Sequence, residues 1–231
     1  MKIVVTTGPS FEPIDEVRRI TNFSTGELGV LLANSFAQSG AEVFCLKGTY
    51  STCITALDRG RTLPFTTNDD LQEQLQELGR NHDIAALFHV AALCDYKVSH
   101  VQDSTGARQS SAKIESRSGA LTLVLEPARK VIAGLRGLFP RAVIVGWKYE
   151  LNGTRADALS KAWRQIQQSN TNACVVNGRA WGEGFGLCTP PDQVIEFPNK
   201  QALVDYLPGW LGVLQTPGQG TRPTGQGGRA L

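Results

Sequence analysis

The stretch from Gly8 to Gly29, GPSFEPIDEVRRITNFSTGELG, gathers residue types suited to holding an anionic reactant. Ser24-Thr25-Gly26 sets two small hydroxyl residues and a glycine ahead of an apolar-periodic segment, and Ile3-Val4-Val5 before the stretch reads as a strand. A strand that passes through a glycine-containing loop into a helix aims free backbone N–H groups and the positive end of the helix dipole at one point, so a phosphate can approach there. In the same loop Asn22 carries an amide that can donate to a carbonyl or phosphoryl oxygen without adding charge. The competing role is an Asx-type cap that holds the loop. Arg18 and Arg19 offer guanidinium forks that suit phosphate, against the ordinary fate of a solvated loop arginine. The dinucleotide fingerprint G-x-G-x-x-G is missing, because Gly8 is followed by Pro9 and Ser10, so a nicotinamide enzyme is not the first reading.

The elements that must position these residues follow from hydrophobic period and turn signals. A first helix is predicted from Thr25 to Ser39, stopped by Gly40, with a second strand at Ala41–Leu46 completing a βαβ unit. Thr62–Phe65 reads as a short strand that Pro64 confines to an edge or strand end. Asn68 is a good N-cap for a helix carrying Leu71, Leu75 and Leu78. Ile84–Val90 is a continuous apolar strand of the kind buried on both faces, and it delivers Ala91-Ala92-Leu93-Cys94-Asp95-Tyr96 to the carboxyl edge of the sheet, where open α/β folds bind ligands. Lys97 to Ala112 turns polar and reads as a mobile loop; Lys113–Ser116 and Leu121–Leu125 around Arg117–Ala120 read as an inserted β-hairpin, with Pro127 opening a helix. Strands at Ala142–Trp147, Ala173–Asn177 and, at an edge, Gln193–Phe197, with helices at Arg155–Gln168 and Gln201–Leu214, complete the pattern. The alternation predicts an α/β domain over residues 1–215, with a doubly wound, mostly parallel sheet. Residues 216–231, rich in glycine and proline, are expected to form a disordered tail.

Composition narrows the function classes. The chain has 231 residues, 41% hydrophobic and 19% charged, which is globular. Its formal charge of +2 is too small to argue for nucleic acid or an anionic membrane, so any anion site is local. Five cysteines without a C-x-x-C pair and three histidines without metal-ligand spacing indicate neither a disulfide framework nor a zinc site, and reduced thiols fit a cytoplasmic protein. No apolar run is long enough to span a bilayer, and Met1-Lys2 leads straight into a strand with no signal peptide ahead of it.

The pattern G-P-S-x-E-P-I-D-x-V-R-x-I-T-N-x-S-T-G-x-L-G resembles the opening motif of the phosphopantothenate–cysteine ligase (phosphopantothenoylcysteine synthetase) family of coenzyme A biosynthesis, and the resemblance extends over roughly residues 1 to 200. It implies a Rossmann-like fold and a reaction in which 4'-phosphopantothenate is activated as an acyl nucleotidylate, with release of pyrophosphate, before the amine of cysteine displaces the nucleoside monophosphate. CTP or ATP is the implied co-substrate, with Mg²⁺. Such chemistry needs two anionic reactants held together and their charge neutralised more than it needs covalent help from the protein.

Carried over position by position, the resemblance makes Asn22 the residue that holds the acyl nucleotidylate and Arg18 a ligand of substrate phosphate. It makes Gly8, Ser24, Thr25 and Gly26 the phosphate-binding backbone, and Ala92 and Asp95 of Ala91-Ala92-Leu93-Cys94-Asp95-Tyr96 nucleotide contacts. Lys113 of Lys113-Ile114-Glu115-Ser116 is the implied triphosphate lysine, with Lys97 a rival, and Trp147 of Val145–Glu150 lies near the base. Metal ligands are not assigned. The pattern departs at Gly178, where an aspartate is usual after Asn177, and at Glu126-Pro127-Ala128-Arg129-Lys130, which stands for N-P-D. Cys94, where a small residue is usual, reads as an apolar filler. The family also implies a homodimer, for which the Lys113–Leu125 hairpin is a candidate contact. Because the chain starts at the ligase motif, a separate flavin-dependent decarboxylase is expected to act next. Two rivals stand beside this reading: a short-chain NAD(P) reductase, for which Tyr96-Lys97 has the wrong spacing, and a non-catalytic paralogue that binds a nucleotide or acyl phosphate.

Overall fold

The computed structural model describes residues 1–115 and 119–215. The predicted tail at 216–231 and residues 117 and 118 of the predicted turn at Arg117–Ala120 therefore lie outside the described residues. In chain order the first half comprises β1 (Lys2–Thr7), β2 (Phe11–Pro13), β3 (Arg19–Thr21), α1 (Glu27–Gln38), β4 (Glu42–Gly48), β5 (Arg61–Phe65), α2 (Asn68–Asn81), β6 (Ala86–His89), β7 (Tyr96–Gln102) and β8 (Arg108–Gln109). The second half comprises β9 (Thr122–Pro127), α3 (Val131–Leu138), β10 (Val143–Tyr149), α4 (Arg155–Ser169), β11 (Ala173–Asn177), β12 (Phe185–Thr189), β13 (Gln193–Phe197) and α5 (Lys200–Gln215).

Eight strands form one sheet in the order β13-β12-β11-β10-β6-β1-β4-β5. All pairs from β11 to β5 are parallel, and β12 and β13 add an antiparallel edge. The helices α1 and α5 cover one face, where Ile3, Val5, Leu32, Phe36, Phe88 and Leu207 are fully buried. Leu71 and Leu75 of α2 and Leu135 of α3 bury Val4, Phe44 and Leu87 on the other face, and α4 packs beside them on Cys174 and Val176. Covered on both faces, the central strands are apolar at nearly every position, which is why they read as continuous runs. Pro64 sits in the outermost strand β5, where its missing N–H breaks no ladder bond.

Several expectations are corrected. The polar stretch from Lys97 to Ala112 is not a loop: β7 occupies most of its first half, and β8 follows. The inserted sheet pairs β7 with β9 and β8, so the hairpin arm is Tyr96–Gln102 rather than Lys113–Ser116. A small sheet solvated on one face needs few apolar residues, and within β7 only Val101 is buried, which is why its strand signal is weak. Pro127 ends β9 opposite Tyr96 instead of opening α3. The cap of α2 is Thr67, whose hydroxyl accepts from the Asp70 N–H, and Asn68 is the first helical residue. The connection between β1 and α1 contains the β2–β3 hairpin, and β12 was not anticipated.

Candidate functional site

Strand order turns between β1 and β6: from β1 the chain proceeds to β4 and β5 on one side, then returns to place β6 on the other. Crevices of open α/β sheets form at such points, beyond the carboxyl ends of the strands. Here the β1 end and the α1 start are pressed together. Gly8 and Gly26 both have positive φ, 79° and 78°, and a Cβ on Gly26 would lie 2.4 Å from Ser51 Oγ and 3.1 Å from Gly8 Cα. The Thr7 hydroxyl donates to the Gly26 carbonyl at 2.7 Å, and the Ser51 hydroxyl donates to the Thr25 carbonyl. Thr25 Oγ1 accepts from the Glu27 N–H, but no side chain caps α1 from Gly26, so the positive end of α1 faces the crevice.

The strand β6 side is clasped onto this junction. The Ala92 N–H donates to the Gly8 carbonyl, the Ser10 N–H to the Ala92 carbonyl, and the Cys94 N–H to Ser10 Oγ at 2.8 Å. Asn22 Nδ2 donates to the carbonyls of Ala92 at 3.2 Å and Leu93 at 2.8 Å. Asn22 thus ties the first motif to the second. Asn68, outside the expected site, anchors the same segment from below by donating to the Cys94 carbonyl. Cys94 is buried, and burial pushes its thiol pKa up. A raised pKa disfavours thiolate, in keeping with a filler rather than a nucleophile.

Two cavities flank the clasp. The smaller, about 220 Å³, is lined by Ser24, Thr25 and Gly26 together with Ala92, Trp147 and Asn177. Trp147 Nε1 and Asn177 Oδ1 are enclosed and have no hydrogen-bond partner among the described residues. The larger, about 580 Å³, lies against α3 and α4 on the opposite layer, and Asp95 and Trp147 line it. Asp95 there forms an ion pair with Lys130, and Lys161 pairs with Glu150 at 2.5 Å.

The remaining expected residues sit apart from the cavities. Asp15 is a hub that the motif did not reveal: its buried carboxylate accepts from the N–H groups of Val17, Arg18 and Ile114. Burial alone would raise the Asp15 pKa, but these donors and the Arg18 guanidinium outweigh it and hold the pKa below the usual value. Arg18 Nη2 donates to the Ile114 carbonyl, and the Glu16 N–H donates to the Ala112 carbonyl. Arg18 and Asp15 therefore seat the segment that carries Lys113, whose own side chain is exposed and unpaired among the described residues. Lys97 pairs with Glu126 at 3.1 Å, and Arg19 stacks over the Tyr50 ring at 3.2 Å.

The DNA/pantothenate metabolism flavoprotein C-terminal domain matches residues 1–202. This chain belongs to that family. A curated relative, the coenzyme A biosynthesis bifunctional protein CoaBC of Thermococcus kodakarensis, is 30% identical over 179 residues; these are 76% of this chain and 41% of the relative. The chain thus spans about two fifths of the length of that relative. Among solved structures, the DNA/pantothenate metabolism flavoprotein from Streptococcus pneumoniae superposes with a TM-score of 0.82 at 21% identity, covering 93% of this chain and all 100% of that one. A Cab2 mutant complexed with phosphopantothenate-cysteine gives 0.69 at 17% identity, covering 92% of this chain and 85% of that one. At these identities the superpositions establish the fold.

Within the family domain, the departure at Gly178 has a backbone cause. Its φ is +106°, and a Cβ would lie 2.5 Å from the Glu150 carbonyl oxygen and 2.8 Å from the Glu150 nitrogen. Glu150 in turn exchanges backbone bonds with Asn177 and Ala180, so the strand ends of β10 and β11 close tightly here. No cluster of three or more His, Cys, Asp or Glu that could hold a metal exists among the described residues. No helix among them is long and apolar enough to cross a membrane.

Proposed function

We propose that the protein joins 4'-phosphopantothenate to cysteine in coenzyme A biosynthesis, consuming CTP or ATP. In the first step a carboxylate oxygen attacks the α-phosphorus and pyrophosphate leaves. In the second the cysteine amine attacks the acyl carbon, the nucleoside monophosphate leaves, and the amine proton passes to solvent. The observation that carries this reading is the smaller cavity. Four separated segments contribute Ser24 to Gly26, Ala92, Trp147 and Asn177 to it, and two of its residues hold an enclosed donor and an enclosed acceptor without partners. Enclosed polar atoms are ordinarily satisfied, so an open pair in a crevice marks where a ligand bonds.

In this reading the Ser24–Gly26 backbone and the start of α1 bind phosphate, with Gly8 allowing the close approach. Trp147 and Asn177 meet the base, and Asp95 and Ala92 contact the rest of the nucleotide. Asn22 holds the acyl nucleotidylate from its place over Ala92 and Leu93, Arg18 stands near the substrate phosphate, and Lys113 offsets triphosphate charge from its exposed segment. The described residues offer no preformed metal cage, so Mg²⁺, which neutralises phosphate charge in such reactions, would arrive on the polyphosphate oxygens. Two copies would pair through the β7–β9 sheet, where Tyr96, Leu123 and Leu125 are exposed. The protein would work in the cytoplasm, and a flavin-dependent decarboxylase would consume its product.

The test is pyrophosphate release with Mg²⁺, 4'-phosphopantothenate and cysteine, comparing CTP with ATP and omitting each component in turn. Release that requires phosphopantothenate, with amide formed only when cysteine is added, is the expected result. Nucleotide binding without release under any of these conditions would replace the ligase with the non-catalytic paralogue.

A further inference from the structure

The connection between β4 and β5, residues 49–60, contains no helix or strand, yet hydrogen bonds fix it at several points. The Thr49 N–H donates to the Phe65 carbonyl, and the Ser51 N–H closes a turn onto the Gly48 carbonyl, both at 2.9 Å. Lys47 Nζ donates to the Cys53 carbonyl at 2.9 Å. Farther on, the buried Asn34 donates to the Ala56 carbonyl and accepts from the Asp58 N–H. The Tyr50 ring meets Phe11 edge to face at 5.2 Å and carries the Arg19 guanidinium over its face. Surface connections are ordinarily the more mobile parts of a fold, whereas this one is held as a strap.

What the strap grips is one peptide of the Ser24–Gly26 loop. Ser51 Oγ donates to the Thr25 carbonyl at 2.5 Å, and the Cys53 N–H donates to the same oxygen at 2.9 Å. Ser51 also fills the space over the two glycines: a Cβ on Gly8 would lie 3.0 Å from Ser51 Cβ, and one on Gly26 would lie 2.4 Å from Ser51 Oγ. The Thr25–Gly26 peptide is trans, so its C=O and N–H point in opposite directions. With the Thr25 carbonyl turned to the strap, the Gly26 N–H is turned away from it. That N–H has no acceptor among the described residues. Thr25 and Gly26 line the smaller cavity, and Ser51 and Cys53 do not. Glycine offers little resistance to a rotated peptide, so the two strap donors are what keep the carbonyl back and the N–H forward.

We propose that Ser51 is a positioning residue of the ligase reaction, which presets the Gly26 N–H toward a phosphate of the nucleotide before the nucleotide arrives. Ser51 acts through Gly26, with the Cys53 N–H as second donor and Lys47 as the anchor of the strap. A donor already aimed at its acceptor costs no reorganisation on binding, and its full strength goes to the charge it meets. The inference rests on the reading that the Ser24–Gly26 backbone binds nucleotide phosphate.

The experiment is titration calorimetry of the full chain with CTP, ATP and 4'-phosphopantothenate, in the presence of Mg²⁺, comparing wild type with Ser51→Ala. Loss of one charge-assisted contact weakens binding about tenfold, so Ser51→Ala should bind the nucleotide about tenfold more weakly, with its affinity for phosphopantothenate unchanged. Lys47→Met leaves Ser51 in place and frees the Cys53 carbonyl, and should give a smaller loss of the same selectivity. The Gly26 amide resonance supplies a readout that a merely structural role would not move: nucleotide should shift it downfield in wild type and much less in Ser51→Ala. Equal nucleotide affinity in wild type and Ser51→Ala, or an equal loss for nucleotide and phosphopantothenate, overturns the proposal. Wild type that binds neither CTP nor ATP overturns the nucleotide reading and this inference with it, whereas wild type that binds one of them as well as Ser51→Ala does removes Ser51 alone.

Discussion

A Cβ at position 178 tests whether the β10–β11 strand ends are as tightly closed as the geometry states. Gly178 has φ of +106°, and a methyl there would meet the Glu150 carbonyl oxygen at 2.5 Å and its nitrogen at 2.8 Å. Both are backbone atoms held by bonds to Ala180 and Asn177, so they cannot swing away as a flexible side chain would. Gly182 is the internal control: its φ is almost the same, +105°, yet nothing lies within 4 Å of its built Cβ. Gly182→Ala therefore carries only the conformational cost of a side chain at positive φ, about 2 kcal/mol. Gly178→Ala adds an overpacking cost of about 2 kcal/mol to the same strain, for a total of about 4 kcal/mol. In a domain of this size each kcal/mol lowers the melting temperature by about 2–4 °C, so the expected falls are about 4–8 °C for Gly182→Ala and 8–16 °C for Gly178→Ala. Differential scanning calorimetry and urea titration of both variants give the comparison. Equal effects at the two positions would show that the close contact with Glu150 is not there. Gly178→Asp, the residue usual in the family pattern, should be at least as destabilising as alanine.

Asn22→Ala should leave the fold intact, at a cost below about 2 kcal/mol for its two carbonyl bonds, while lowering amide formation about a hundredfold or more; unchanged turnover would remove Asn22 from the reaction. Burial lowers the His89 pKa from 6.5 to about 4, so the folded state keeps the ring neutral. The resulting stability, about 3 kcal/mol, is full above the unfolded pKa and is lost as pH falls from about 6.5 toward 4; NMR titration showing His89 protonated at pH 6 would contradict this. The depressed Asp15 pKa contributes stability above the unfolded carboxylate value that is lost as pH falls through the folded one, and Asp15→Asn should loosen the Ile114 segment at neutral pH, read by faster exchange of its amide. Burial pushes the thiols of Cys45 and Cys188 up to about 11, and Cys94 and Cys174 are also buried and raised, so native alkylation should label half-buried Cys53 first.

Local sequence was enough to read the parallel frame and the loop between the first strand and first helix that lines the smaller cavity. Runs such as Ile3–Val5 and Ala173–Val176 are apolar at successive positions because helices cover both sheet faces, and that pattern is local. The Ser24-Thr25-Gly26 run after the first strand likewise announced a glycine-containing helix start, and the glycine at 26 is required by a left-handed φ and contact with Gly8. What the sequence did not carry were relations between distant segments. The strand β7 has one buried residue of seven, so its partner β9, and not its composition, makes it a strand. Asp15 looked like one more polar loop residue, yet its bonds to Ile114, across nearly a hundred positions, seat Lys113. The cationic wall of the larger cavity joins Arg129 and Lys130, just ahead of α3, with residues of β10 and α4 that are unremarkable in the chain. Charge and hydrogen-bond complementarity depend on distance in space, and only the folded sheet, which brings β6 between β1 and β10, sets those distances.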